Sequence, residues 1–279
     1  MSTVKATTVK AATARGVPAA PIARRQLPQA TMALATFMVI LCLWEAASRW
    51  LGVPEYLLPA PSAIARAAAA VDGAIWFDHI QATLRVIVMG FALAFAVSLP
   101  LAIVLHRFDL ARKSLYPLLI IVQSTPVVAV APILIVTLGA TDLARVVITA
   151  LISFFPLVVG IATGLAQTPA ELIELSRSLK ASKRNEYLQI RLPFAMPHVF
   201  SALRVAITLA VIGAVIAEFV ASERGIGYFI RFSTSYFKVA QAFAALAVLV
   251  MLSLALFQLI NLAQRVFYPR SLHKRDDAK

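Results

Sequence analysis

Apolar runs long enough to cross a membrane recur along this chain of 279 residues, and short clusters of charge separate them. The stretches free of charged residues are 26–44, 86–105, 114–141, 146–170 and 239–264. Each has about the length a helix needs to cross roughly 30 Å of hydrocarbon at about 1.5 Å per residue. A sixth stretch, Val199 to Ala221, admits Arg204 and Glu218 near its ends, where long side chains can reach the headgroup layer. The pattern predicts an all-α polytopic membrane protein with about six transmembrane helices. Glu45 and Glu218, both near span ends, read as headgroup-level charges.

One interruption differs from a simple loop. Between the fourth and fifth stretches lies Glu171 to Pro193, polar but periodic. Thr168-Pro169-Ala170-Glu171 has the spacing of a capping box with proline at the first helical position, so a helix should begin there. Leu172, Leu175, Ser176 and Leu179 then form an apolar-to-small stripe opposite Glu174, Arg177 and Lys180. Ser182 is placed to cap a second short helix running to about Ile190, stopped by Pro193 and Pro197. Two short amphipathic helices held between membrane spans make a knob that another protein can grip. The alternative is an interfacial helix lying on lipid.

Inside the membrane the third span, 114–141, is the unusual one, because Gln123-Ser124-Thr125-Pro126 and then Pro132 fall near its middle. A broken helix at that depth is tolerated where protein or a water-filled cavity satisfies the freed carbonyls. Two readings stand: a polar stretch of a solute pathway, or hydroxyls that cap a kink while Gln123 bonds a neighbouring helix. In the fourth span Gly160-Ile-Ala-Thr-Gly164 has the small-xxx-small spacing that lets helices approach closely. Between the first two spans, Gly52 to Ser62 is a stiff Pro-rich connector, and an Ala-rich segment from Ile64 to Val71 forms a short helix that Ser62 would cap. Trp76, Phe77, Tyr228, Phe229, Phe232, Tyr236 and Phe237 read as an aromatic belt on that same side.

Composition agrees with the pattern: 61% of residues are hydrophobic, 14% are charged and the mean hydropathy is +0.84, which no soluble core of this size absorbs. The net charge of +13 then becomes a topology signal. Most Lys and Arg fall in the N-terminal segment, the 106–114 loop, the 171–191 insert and the C-terminal tail, four segments that six spans place on one side. The positive-inside rule puts both termini and the insert in the cytoplasm. A nucleic-acid surface would gather this charge on one folded face instead. Residues 1–29, rich in Ala, Thr and Pro, predict a disordered cytoplasmic arm. Residues 30–267 are the membrane domain, including the insert at 168–197, and 268–279 the cytoplasmic tail. The run 26–44 exceeds the roughly 7–15 apolar residues of a cleaved signal and continues through Trp44 and Trp50 as an interfacial anchor.

Several chemistries are missing from the sequence. No glycine precedes a lysine, so a phosphate loop ending in Gly-Lys-Ser/Thr is excluded. The four histidines, His79, His106, His198 and His273, are scattered at span edges and in the tail. The single Cys42 cannot form an intrachain disulfide. No catalytic residue, metal site or cofactor is expected, and an energy source has to come from a partner gripping the insert. A secondary transporter would instead show an internal repeat or a buried ion site.

The insert resembles the EAA motif of permease subunits of binding-protein-dependent ABC importers: Glu, two small residues, three of any kind, Gly, nine of any kind, then Ile-any-Leu-Pro. Here that is Glu174-Leu175-Ser176, Lys180 followed by Ala181, and Ile190-Arg191-Leu192-Pro193, with Leu179 before Lys180 on the apolar stripe. Leu175 and Ser176 replace the two alanines and Lys180 replaces the glycine. If that position needs a left-handed backbone, lysine costs about 1–2 kcal/mol there. With Leu58-Pro59-Ala-Pro61-Ser62, the Pro-bearing third span, and Ala217-Glu218 followed by Gly225-Ile-Gly227-Tyr228, the chain resembles the nitrate, sulfonate and taurine branch from about Trp44 to Arg265. The resemblance implies a type I permease fold and a homodimer or pseudo-dimer in the bacterial inner membrane. It also implies two cytoplasmic ATP-binding subunits docked on the insert and a periplasmic solute-binding protein. The polar break at Gln123 to Pro126 is similar to permeases for thiamine-precursor pyrimidines and riboflavin, with nitrate, taurine or an alkanesulfonate as the alternative solute.

Overall fold

The computed structural model describes residues 29–50 and 52–268, and all of its regular structure there is helical. The arm expected over 1–29 and the tail over 268–279 lie, but for residues 29 and 268, outside the described residues. The chain divides into two compact units, Met1–Leu43 and Trp44–Lys279. The described part of the first is the leading portion of α1 (Gln29–Trp50), an apolar helix whose Thr36 hydroxyl donates to the Met32 carbonyl at 2.9 Å. The second unit begins with the last turns of α1 and carries everything that follows.

In that second unit come α2 (Pro61–Ala69), α3 (Gly73–Arg107), α4 (Asp109–Ser124), α5 (Val127–Leu138) and α6 (Asp142–Ala166). They are followed by α7 (Ala170–Ser178), the single turn α8 (Lys183–Asn185), a π-helical turn (Glu186–Arg191), α9 (Leu192–Ala221), α10 (Ile226–Ser235) and α11 (Val239–Phe267). Five helices of the described chain are long and apolar enough to cross a membrane, and α4 with α5 makes a sixth span if the pair, bent by 91°, is counted as one. The expected sixth stretch is α9. The third is the bent pair, broken at Thr125-Pro126.

The core is a bundle of α3, α6 and α9 built from small side chains: Ala94 and Ala102, Ala150 and Ile161, Ala195, Ala202 and Ala206 all meet in one buried cluster. In lipid no hydrophobic drive brings helices together, so close backbone approach has to supply the packing. Gly160 and Gly164 provide it. A Cβ on Gly160 would collide with the Ala202 side chain, and one on Gly164 would lie 2.8 Å from the His198 Cβ and 3.0 Å from the Ala195 carbonyl oxygen. Side-chain caps start the bundle helices: Asp72 accepts from the Ala74 N–H at 2.9 Å for α3, and Thr141 from the Ala144 N–H for α6.

Four expectations change. Ser62 does not cap α2; Ala60 is its N-cap, Pro61 opens the helix, and Glu45 accepts both the Ser62 N–H (3.0 Å) and its hydroxyl (2.8 Å). Glu45 thereby fills an orphan donor site at a helix start rather than standing as a bare headgroup charge. Of the aromatic belt, Phe77, Tyr236 and Phe237 are exposed, while Phe229 is buried against Trp76 with ring centroids 5.2 Å apart. Trp76 also donates from Nε1 to the Ala68 carbonyl, so those two rings are packing groups. Arg204 does not reach outward: it donates to Asn261 and Gln264 of α11, a polar tie between two spans.

The bundle has two ends. The C-termini of α3 and α6 and the start of α9 meet at the face carrying the insert, while the starts of α3 and α6 and the C-terminus of α9 meet at the opposite face.

Candidate functional site

At the insert face, α7 opens one residue later than a capping box requires. Pro169 is the N-cap and gives no side-chain bond, and the buried Thr168 hydroxyl donates to the Leu165 carbonyl at 3.3 Å. Thr168 thus seals the end of α6 instead of starting α7. The helix buries Ser176, which is 4% exposed, and half-buries Leu172 and Ile173. Leu175 and Leu179, expected on that same stripe, are 56% and 73% exposed. They stand beside the exposed Glu174, so the knob presents two leucines and a carboxylate outward.

The turn after α7 is set by hydrogen bonds. The Lys180 N–H donates to the Arg177 carbonyl at 2.9 Å and the Ala181 N–H to the Ser176 carbonyl at 3.0 Å, the paired closure of a Schellman motif. That closure requires a left-handed residue at Lys180, whose φ is 52°. Lysine therefore occupies the position where the motif has glycine, in the strained backbone that glycine adopts freely. Ser182 accepts from the Asn185 N–H at 3.3 Å and caps the next turn as expected. Pro193 and Pro197 do not stop the chain there. The π turn flows directly into α9 with Pro193 at its second position, and Pro197 is carried inside the helix. Ile190 is half-buried and Leu192 is 40% exposed.

Behind the knob sits a buried carboxylate. Glu186 is 2% exposed, and its Oε1 accepts from Arg191 Nε at 2.9 Å and Nη2 at 2.8 Å while Oε2 accepts from Lys183 Nζ at 3.1 Å. Neither Glu186 nor this pairing is visible in the motif.

The break between α4 and α5 lies between the two faces. Gln123, Ser124, Thr125 and Pro126 are all exposed in the single chain. Ser124 donates to the Ile120 carbonyl at 2.8 Å and Thr125 to the Ile121 carbonyl at 3.1 Å, so both hydroxyls satisfy carbonyls of the broken turn. Gln123 carries its amide outward, clear of that capping.

At the opposite face, a cavity of about 950 Å³ opens between α3, the start of α6 and the α9–α10 turn. Its wall includes Asp78, Gln81, Arg85, Asp142, Arg145 and Arg224. Arg145 donates to Asp142 and to Ser222, and Arg85 lies 3.7 Å from Asp142. None of Gln123 to Pro126 lines this cavity. Glu218 corrects the headgroup reading outright: it is 1% exposed, accepting from the Thr83 hydroxyl at 2.8 Å and the Gly227 N–H at 2.7 Å. Thr83 in turn accepts the Ile226 N–H at 2.7 Å and His79 Nδ1 the Gly225 N–H at 3.1 Å. Three successive N–H groups at the start of α10 are thus held by α3 and α9. Gly225 is required, with φ at 111° and its Cβ direction pointing onto the Glu218 carboxyl. Sequence signalled this only as an acid with glycines seven and nine residues on.

Residues 93–273 match the family described as "Binding-protein-dependent transport system inner membrane component". The chain belongs to that family. As a permease subunit of an ABC importer it is a multi-pass inner-membrane protein and not an enzyme, since ATP hydrolysis resides in a separate subunit. Family membership sets aside the secondary-transporter alternative. The permease is 32% identical over 233 residues, 84% of this chain and 93% of the relative, to the formylaminopyrimidine transport permease protein ThiX of Halalkalibacterium halodurans. It is 34% identical over 232 residues, 83% and 87% respectively, to the riboflavin transport system permease protein RibX of Chloroflexus aurantiacus. Its fold is that of a chain from inward-facing MetNI, a methionine ABC transporter, with a TM-score of 0.58 at 20% identity over 67% of this chain and 93% of that one.

Proposed function

We propose that this permease imports a small heterocyclic solute of the vitamin-precursor class, pyrimidine or flavin in type, and that the insert is its port for energy. The observation that carries the second part is the knob: Leu175 and Leu179 turned outward beside Glu174, on a helix whose end is fixed by the Lys180 turn. Exposed leucines framed by charge are the composition of a protein-docking patch. In this reading Glu174, Leu175, Ser176, Leu179, Lys180 and Ala181 meet a cytoplasmic ATP-binding subunit, and Ile190, Leu192 and Pro193 lead its movement into α9. The basic residues of the insert support a cytoplasmic position for it and for both termini. A second copy completes the solute route, with the polar break at Gln123, Ser124, Thr125 and Pro126 facing it, and a periplasmic binding protein delivers the solute. The names of the two relatives support the heterocycle over nitrate, taurine or an alkanesulfonate.

The test uses the permease co-expressed with its ATP-binding and solute-binding partners. Leu179→Asp should abolish co-purification of the ATP-binding subunit while the permease still inserts; full retention would refute the docking surface. Uptake of labelled riboflavin and formylaminopyrimidine should be saturable and ATP-dependent. Uptake of taurine or nitrate in their place would assign the other solute class.

A further inference from the structure

The Glu186–Arg191 pair owes its existence to the π turn. In an α-helix residues five apart point about 140° away from each other, since each step turns roughly 100°. A turn closed by i→i+5 bonds brings them to the same side, and here the Leu192 N–H donates to the Tyr187 carbonyl in that register. With the turn so widened, Arg191 lays one edge on Glu186. Its remaining nitrogen, Nη1, lies 2.9 Å from Nε2 of His106, in the last turn of α3. Arginine has donors only, so His106 accepts at Nε2. The Tyr187 ring completes the arrangement: the guanidinium lies 5.3 Å from its centroid and the His106 ring meets it edge-on at 6.1 Å. Arg191 and Tyr187 therefore bridge the insert to a helix that it does not continue into, Arg191 through a hydrogen bond, whereas α6 and α9 are joined to the insert by the chain itself.

We propose that Arg191, held by the π turn and Glu186, is the joint through which displacement of the insert moves α3, and that His106 is the receiving end. The inference rests on the insert being the docking surface. Movement of the knob reaches α6 and α9 through the chain, and α3 indirectly through its packing on them. The joint adds a direct side-chain tie from the insert to the end of α3, the helix that also walls the opposite-face cavity. Arg191, Glu186 and His106 are positioning residues; none touches solute or nucleotide. A purely structural role for the cluster would need only the Glu186–Arg191 pair inside the insert. The bond to His106 lies outside that pair and reaches another helix, so it is where the two roles separate.

The experiment reads α3 directly and needs no identified solute. In the full complex, with Cys42→Ser removing the single cysteine, Gln81→Cys places a thiol on the α3 side of the cavity. Its rate of reaction with a fluorescent maleimide is measured with and without MgATP and vanadate. The parent should show a rate change of about fivefold or more on trapping. His106→Leu should reduce that change to below twofold, with the ATP-binding subunit still co-purifying, and His106→Gln, which keeps an acceptor, should restore it. An undiminished change in His106→Leu, an equal loss in His106→Gln, or no change in the parent would each overturn the joint. Loss of co-purification in His106→Leu would also overturn it, by making the residue a support of the docking surface. The docking surface itself is judged separately, by whether Leu179→Asp releases the ATP-binding subunit.

Discussion

The two ends of the α3–α6–α9 bundle solve one problem with opposite chemistry. Each has a buried glutamate at an end of α9 and a histidine near an end of α3: Glu186 with His106 on the insert face, Glu218 with His79 on the other. On the insert face the carboxylate is held by side-chain cations, Arg191 and Lys183. On the opposite face its bonded partners are the Thr83 hydroxyl and a backbone N–H at the start of α10, where the helix end supplies fractional positive charge. Side-chain cations sit on rotatable stems and can be released and regained. Backbone donors cannot leave without undoing the helix. The insert end is thus held by side chains alone, and the opposite end by backbone as well.

Mutations at the two ends should expose that difference. Arg191→Met strands Glu186 with Lys183 alone, and losing one member of a buried pair costs about 3–5 kcal/mol. Adding Glu186→Leu to it should recover most of the thermal stability of the purified permease, because an apolar pair replaces the ionic one. Failure of the double variant to recover would show that the insert end is as fixed as the other. Glu218→Leu should cost about 2–3 kcal/mol, since it leaves the Gly227 N–H buried without an acceptor. Here no second side-chain change can compensate, and a Thr83→Val partner mutation should deepen the loss by orphaning the Ile226 N–H. Recovery in that double variant would contradict the backbone clamp. The smallest effect is a gain: Lys180→Gly relieves the left-handed backbone and should raise stability by about 1 kcal/mol. A fall in melting temperature for that variant would mean that the lysine side chain contributes more than its backbone costs.

What could be read from the chain was whatever local spacing controls. The spans, the break at Thr125-Pro126, the close approach through Gly160 and Gly164, and the backbone demand at Lys180 all follow from residues a few positions apart. Local rules also misled where a competitor was available. Thr168 had the right spacing to cap α7, but it bonds back to Leu165 and closes α6 instead. Pro193 looked like a stop, but the π turn runs into α9 through it without a break, so the proline ends nothing. Leu175 and Leu179 shared a stripe with Ser176 on a helical wheel, yet only the serine is buried. Glu218 was beyond reach for another reason: its partner Thr83 is 135 residues away in sequence. The Glu186–Arg191 pair was hidden because five-residue spacing has no meaning until a π turn gives it one.

The length of α3 carries one more consequence. His79 and His106 are separated by about 27 residues, roughly 40 Å of helix at about 1.5 Å per residue, which is close to the roughly 40–45 Å of a bilayer with its headgroups. The two glutamate centres are therefore about a bilayer's thickness apart, each enclosed by protein. Lipids that differ in tail length would be met by tilting the bundle, which carries both centres with it.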